Sequence, residues 1–336
     1  MATIKDVAKY AGLSPATVSR VIRNQSNVTD KTRNLVINAI RDLNFQPNAL
    51  ARQLRQQETK TVIVIVPDIG NSFFRDIIKG IEKIAYQNNY QVFLADMQNN
   101  PEIEAYYFNA LLQKQADGVI SLSASVAQRL MEQVASQYPV VIVCQYMENS
   151  DLPNVTIDNV SASKRIMEHL INMGHTRIAH LTAFPNILLY RDRLTGYYQA
   201  LAEHGIQIDT ELVRYGNSSF QSGYDQMMEL LELKKPVTAV FAAGDILAVG
   251  AMKALKASGK RIPEDCAVVG FDDIDLSSIY DPTLTTIRQP KREMGEIAMS
   301  MLLELINGNK PTPNQHVLDY ELVVRESCGG KKTEEP

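Results

Sequence analysis

From Thr61 onward, short β-branched runs recur with helical stretches between them, and this alternation constrains the chain more than any other feature. Thr61–Val66, Gln91–Ala95, Gly118–Leu122, Val140–Val143, Arg177–Leu181, Thr238–Phe241 and Ala267–Gly270 read as strands. Phe74–Gln87, Ala162–Met173, Arg193–His204 and Ile246–Ser258 read as helices. This is the pattern of parallel βαβ units, so the expected architecture is an α/β doubly wound parallel sheet. Such sheets bind ligands outside the C-terminal ends of their strands. The groups to weigh there are Asp68, Phe73, Phe74, Asp158, Arg191, Arg193, Asp245 and Asp272. Carboxylate and guanidinium accept from and donate to hydroxyls while rings stack, which suits a polyol or nucleoside. Any one of these aspartates could instead cap a helix or stand on the surface.

The first sixty residues follow a different pattern. Thr3 is placed to cap a helix with Ile4, Val7, Ala8 and Ala11 on one face, Asp6 holding the reciprocal capping position and Gly12 ending it. Ser14-Pro15 restarts the chain as a second helix with Val18, Val21 and Ile22 inward. A third, from about Thr29 to Leu43, supplies Val36, Ala39, Ile40 and Leu43. Two short helices around a glycine turn have the spacing of a helix-turn-helix, whose second helix enters the major groove with its N-terminal residues leading. The residues placed to meet DNA are Ser14, Pro15, Ala16, Thr17, Ser19 and Arg20. A helical hairpin in an ordinary bundle would share the spacing, and charge weighs against it. Residues 1–60 carry ten Lys and Arg against four Asp and Glu, whereas the rest carries 24 against 34. A basic head on an acidic body fits a head that meets phosphate. Ala49 to Arg55 has helical propensity without the length or apolar face to persist unsupported, so it is expected to be a conditional helix ordering on DNA.

Thr3-Ile4-Lys5-Asp6-Val7-Ala8, Thr17-Val18-Ser19-Arg20-Val21 and Phe45-Gln46-Pro47-Asn48-Ala49-Leu50-Ala51-Arg52 resemble the headpiece and hinge of the lactose-repressor family of bacterial regulators. The likeness continues through Gly174-His175-Thr176-Arg177-Ile178, Arg193-Leu194-Thr195-Gly196-Tyr197, Val269-Gly270-Phe271-Asp272-Asp273 and Leu284-Thr285-Thr286-Ile287. The resemblance implies a transcriptional repressor with a helix-turn-helix headpiece at 1–46 and a hinge at 47–59. Beyond it would lie a periplasmic-binding-protein-like effector domain at 60–328 and a disordered tail at 329–336. Its two lobes would be 60–159 plus 290–318 and 160–289 plus 319–328. The partners implied are pseudo-palindromic double-stranded operator DNA, a small-molecule effector and a second copy of the chain. DNA contacts would extend to Thr3, Asn48, Ala51 and Leu54, the last inserted in the minor groove. Effector contacts would be Phe73, Asp158, Arg193 and Asp272.

Val64-Ile65-Val66-Pro67-Asp68-Ile69 with Phe73-Phe74, and Asp275-Leu276 with Asp281-Pro282, bring the chain near a cytidine-responsive branch of that family, implying a nucleoside effector. A pentose or hexose is the alternative. Ile187 and Leu189 stand where purine-reading members have polar groups, and Ser218, with Phe220 two residues on, stands where many members stack an aromatic on the ligand.

Other classes lack their equipment. No Gly-x-Gly-x-x-Gly or Gly-x-x-x-x-Gly-Lys follows the first strand, and there is no Gly-x-Ser-x-Gly elbow, so an enzyme is not expected. No cofactor or metal is expected either: five histidines show no ligand spacing, and Asp272-Asp273-Ile274-Asp275 lacks the glycine and glutamate register of a calcium loop. Cys144, Cys266 and Cys328 are scattered and read as reduced. The N-terminus lacks a signal-peptide pattern and no apolar run is long enough to span a bilayer, giving an expected cytoplasmic protein with no membrane partner.

Overall fold

A computed structural model describes residues 2–22, 28–45, 58–123, 128–184 and 186–329, and the chain divides between Thr59 and Lys60 into two units. The first holds α1 (Ile4–Ala11), α2 (Pro15–Ile22) and α3 (Asp30–Asp42). Thr3 and Asp6 close a full capping box on α1, and Gly12 ends it with φ 67°. Ser14 Oγ accepts from the Thr17 amide at 3.1 Å, so α2 starts where the Ser-Pro pair indicates. Val7, Ala8, Val18, Val21, Val36, Ala39 and Phe45 bury one small core.

The second unit begins with β1 (Thr61–Val66), α4 (Phe73–Gln87), β2 (Gln91–Asp96), α5 (Pro101–Leu112), β3 (Gly118–Ser121), α6 (Gln128–Ala135), β4 (Val140–Val143) and β5 (Asn154–Ile157). Next come α7 (Asn159–Asn172), β6 (Ile178–Ala183), α8 (Leu188–Glu203), β7 (Val213–Gly216), α9 (Phe220–Leu231), β8 (Ala239–Ala242), α10 (Asp245–Ala257), β9 (Ala267–Val269), α11 (Asp275–Ile279) and β10 (Thr286–Arg288). The chain closes with α12 (Lys291–Ile306), β11 (Gln315–Leu318) and β12 (Glu321–Val323).

The strands form three sheets, ordered β11-β5-β4-β3-β1-β2, β7-β6-β8-β9 and β10-β12. The first two are parallel throughout and the small pair is antiparallel. Central strands such as Thr61–Val66 are buried along their whole length, as strands covered on both faces must be. Gly80 on α4 and Gly295 on α12 each face the other helix's backbone so closely that a Cβ would collide with it, which sets how tightly these helices cover the larger sheet.

The chain crosses three times between the half built on the six-stranded sheet and the half that holds the other two sheets, at 157–159, 288–291 and 318–321, where β5 leads to α7, β10 to α12 and β11 to β12. Helix α12 and strand β11, late in sequence, therefore belong to the sheet that begins at Thr61. Each strand expected from sequence is present within a residue or two. Five more were not foreseen: β5, β7, β10, β11 and β12 mix polar residues such as Asn154, Arg214, Arg288, His316 and Glu321 into three or four positions, so none shows as an apolar run.

Candidate functional site

A cavity of about 300 Å³ opens at the C-terminal ends of the strands. Segments after β1 (Asp68, Asn71), β2 (Met97, Asn99), β3 (Leu122, Ser123), β4 (Cys144, Gln145), β6 (Phe184, Asn186), β7 (Ser218), β9 (Asp272) and β10 (Gln289) all reach it. That is where a doubly wound fold collects ligands.

Its charged centre is Arg193. The sequence reading starts a helix at Arg193, but α8 begins five residues earlier at Leu188, so Arg193 lies inside the helix. The side chain is 5% exposed and fully engaged. Nε donates to Asn159 Oδ1 at 3.0 Å, one terminal nitrogen to the Ala243 carbonyl at 2.5 Å, and the other to Asp272 Oδ1 at 3.2 Å. Its guanidinium carbon stacks 3.6 Å from the Phe271 ring centre. Gln289 donates to the same Asp272 Oδ1 at 2.7 Å. Burial raises the Asp272 carboxyl above its ordinary value, and Arg193 and Lys291 oppose that shift.

Phe73 and Phe74 open α4 and pack edge to face in the cavity wall, ring centres 5.2 Å apart. Asp68 also lines it, with Oδ1 accepting the Gly70 amide at 2.8 Å. Asp158 stands apart: it is absent from the lining, and its carboxylate caps α7 by accepting the Ser161 amide at 2.9 Å. Arg191 faces away, within 3.4 Å of Glu148. Ser218 lines the cavity, whereas Phe220 is half exposed on α9 and does not. The rings supplied from this side are Phe184 and Tyr190, which sequence reading missed. Both sit in the loop and first turn after β6, where no periodicity marks them.

The acidic run after β9 is divided among separate cations. Asp272 meets Arg193, Asp273 meets Arg288 and Arg325, and Asp275 forms a two-pronged pair with Arg75 at 2.7 and 2.9 Å. Among the described residues no cluster of His, Cys, Asp or Glu is placed to hold a metal ion.

Asp245 adjoins the cavity without lining it. Its carboxylate accepts from the Ile274 amide at 2.9 Å and from the hydroxyls of Ser277 at 2.8 Å and Thr286 at 2.6 Å. Burial, helped by the Asp272 carboxylate, pushes its pKa up from 3.8 to about 7 despite those hydrogen bonds. The folded chain therefore binds a proton that the unfolded chain has released over this interval. The stability contributed by Asp245 falls as pH rises from 3.8 to about 7 and then levels. Urea unfolding at a series of pH values should show wild type losing stability relative to Asp245→Asn across that window; parallel curves would overturn the assignment.

In the first unit, Ser14, Pro15, Ala16 and Arg20 are exposed on α2 and Thr17 and Ser19 half-buried beside them. The Thr3 hydroxyl is committed to the α1 cap, 2.7 Å from Asp6 Oδ2. Asn48, Ala51 and Leu54 lie outside the described residues.

Residues 59–323 match the periplasmic binding proteins and sugar binding domain of the LacI family, and residues 3–48 match the bacterial regulatory proteins of the lacI family. The chain belongs to the LacI family. Among its relatives, the HTH-type transcriptional repressor CytR of Escherichia coli strain K12 is 37% identical over 327 residues, 97% of this chain and 96% of that one. The regulator RegA of Clostridium saccharobutylicum is 38% identical over 330 residues, 97% and 99% of the two chains. The solved lac repressor dimer bound to operator and an anti-inducer superposes with TM-score 0.87 at 30% identity, covering 97% of this chain and 99% of that one. A CelR–cellobiose complex superposes with TM-score 0.74 at 32% identity, covering 97% and 100%. This LacI-family chain is thus a transcriptional regulator and not an enzyme, with a helix-turn-helix unit and a parallel-sheet effector-binding fold. Among the described residues no helix is long and apolar enough to cross a membrane.

Proposed function

We propose that this regulator is a repressor that holds a pseudo-palindromic operator as a homodimer and answers to an uncharged nucleoside such as cytidine. The observation that carries the ligand reading is the buried Arg193–Asp272 pair, with both Asp272 hydrogen bonds falling on Oδ1, beside the rings of Phe73, Phe74, Phe184 and Tyr190. The arrangement suits ribose hydroxyls on Asp272 Oδ2 and a base against an aromatic wall. Size and charge agree. About 300 Å³ is at the small end of ligand sites. The charged groups in the lining are Asp68, Asp272 and an Arg193 already paired, a balance that favours a neutral ligand over a phosphate ester.

The DNA reading rests on the α2 surface of Ser14, Pro15, Ala16, Thr17, Ser19 and Arg20 in a basic headpiece at 1–46. One such headpiece covers one half-site, so two chains serve one operator. The exposed apolar face at the edge strand β2, with Phe93, Leu94 and nearby Tyr106, supports a second copy. Residues 47–59 form the hinge of this proposal, with Leu54 in the minor groove.

A hexose is the second reading, favoured by the amides of Asn71, Asn99, Gln145, Asn186 and Gln289 around the cavity. Calorimetry with cytidine, uridine, cytidine monophosphate, ribose, glucose and cellobiose separates the two. The expected result is saturable binding of cytidine or uridine, weaker binding of the monophosphate, and altered operator affinity in the nucleoside's presence. Tight binding of a hexose with silent nucleosides would remove the nucleoside assignment.

A further inference from the structure

Asp272 and Asp273 are consecutive residues with φ of 109° and 47°, a backbone that side chains bearing a Cβ rarely adopt even singly. Something must hold it, and the contacts are specific. Asp273 does not line the cavity; its carboxylate receives Arg288 Nε at 2.6 Å and Arg325 at 2.8 Å. Burial would raise this carboxyl, but the two guanidiniums more than offset that and leave it below its ordinary value. Lys291 Nζ donates to the Asp272 carbonyl at 2.9 Å and to the Asp273 carbonyl. The Asp272 amide donates to the Ile287 carbonyl at 2.8 Å.

The anchoring cations come from beside two of the crossings. Arg288 and Lys291 bracket the second crossing, whose Gln289 donates to Asp272 inside the cavity. Arg325 follows the third crossing, just beyond β12. The turn that aims the ligand-facing carboxylate is thereby bolted to the segments that must flex if the two sheets move relative to each other.

We propose that Asp273 is a positioning residue for the effector: through Arg288 and Arg325 it holds the strained turn that directs Asp272 into the cavity, and it links that aim to the crossing at 288–291. This rests on the reading of Asp272 as an effector contact. If Asp273 acts only through Asp272, removing it matters only while Asp272 is present.

The test is a double-mutant cycle on the full-length chain with cytidine as probe, using Asp273→Asn, Asp272→Ala and both together, each checked for cooperative unfolding. Asp273→Asn should weaken cytidine by about tenfold, within the coupling range of contacting residues, and should add nothing in the Asp272→Ala background. Additive losses, or full affinity in Asp273→Asn, would overturn the proposal. A ligand-free readout runs alongside. Hydrogen exchange of a peptide spanning residues 270–275 should speed up in Asp273→Asn while peptides from α7 and α9 keep wild-type rates. Unchanged exchange at 270–275 refutes the positioning role whatever the ligand. If wild type ignores cytidine, the nucleoside reading falls and the exchange result alone decides this one.

Discussion

Replacing Arg193 with alanine is expected to abolish effector binding and to lower the stability of the second unit by about 3–5 kcal/mol, the usual consequence of removing one partner from a buried ion pair. The size follows from what the guanidinium touches. It holds Asn159, the Ala243 carbonyl and Asp272 at once, and it stacks on Phe271. Without it Asp272 keeps Gln289 and the nearby Lys291 charge but stays buried, and burial opposes its ionised form. Arg193→Lys should not rescue, because one ammonium cannot reproduce three divergent hydrogen bonds and a planar stack. Asp272→Ala is the informative contrast. It should reduce ligand affinity by about 2–5 kcal/mol and also cost stability, because the buried Arg193 keeps two neutral acceptors but loses its counter-charge. Urea unfolding and calorimetry on the three variants measure both quantities. Native stability and native affinity in Arg193→Ala would remove it from the centre of the site.

Val18→Asp should eliminate operator binding altogether while leaving effector binding intact. Val18 is fully buried among Val7, Ala8, Val21, Val36, Ala39 and Phe45, which among the described residues form the buried core of the first unit. A carboxylate placed among these apolar side chains loses several kcal/mol of hydration. A unit of this size has only a few kcal/mol of stability in total. The headpiece should therefore unfold, and α2 with it. The effector cavity draws only on residues beyond Lys60 and should titrate normally. Anisotropy with labelled operator and calorimetry with effector on one sample settle the matter, and retained operator binding would mean that α2 does not carry recognition.

Periodicity, capping and turn residues made most of the scaffold legible in advance. Thr3 with Asp6, Gly12 and Ser14-Pro15 are local signals, and the helices begin and end on them. The long strands were equally plain, because a stretch such as Thr61–Val66 has one reading once its flanks are polar. The short ones that mix polar with apolar residues were not. Asn154–Ile157 and Thr286–Arg288 become strands because neighbours already in place offer them hydrogen bonds, a cause that lies elsewhere in the sequence. The cavity divides in the same way. Arg193 and Asp272, both singled out at strand ends, meet across 79 residues of sequence. Asp158 shared their chemistry and its place at a strand end, yet its carboxylate is taken by the first turn of α7. Tyr190 and Gln289 reach the cavity by where their segments fall in space, and nothing in their local sequence separates them from ordinary loop residues.

The three crossings also set an order of manufacture. A ribosome delivers β1 through β5 first and then the whole of the β7-β6-β8-β9 sheet, and only afterwards α12 and β11. Until residue 318 emerges, the earliest sheet lacks both its outermost strand and the helix that buries Met294, Ala298, Met299 and Leu302 against Val62, Val64 and Ile120. The first-made half of this molecule thus waits for some of the last residues of its own unit, and the other half closes only when Leu322 and Cys328 join Phe241 and Val269. Nascent chains released from the ribosome only as far as Pro290 should therefore expose to chaperones and proteases the apolar sheet face that α12 later covers.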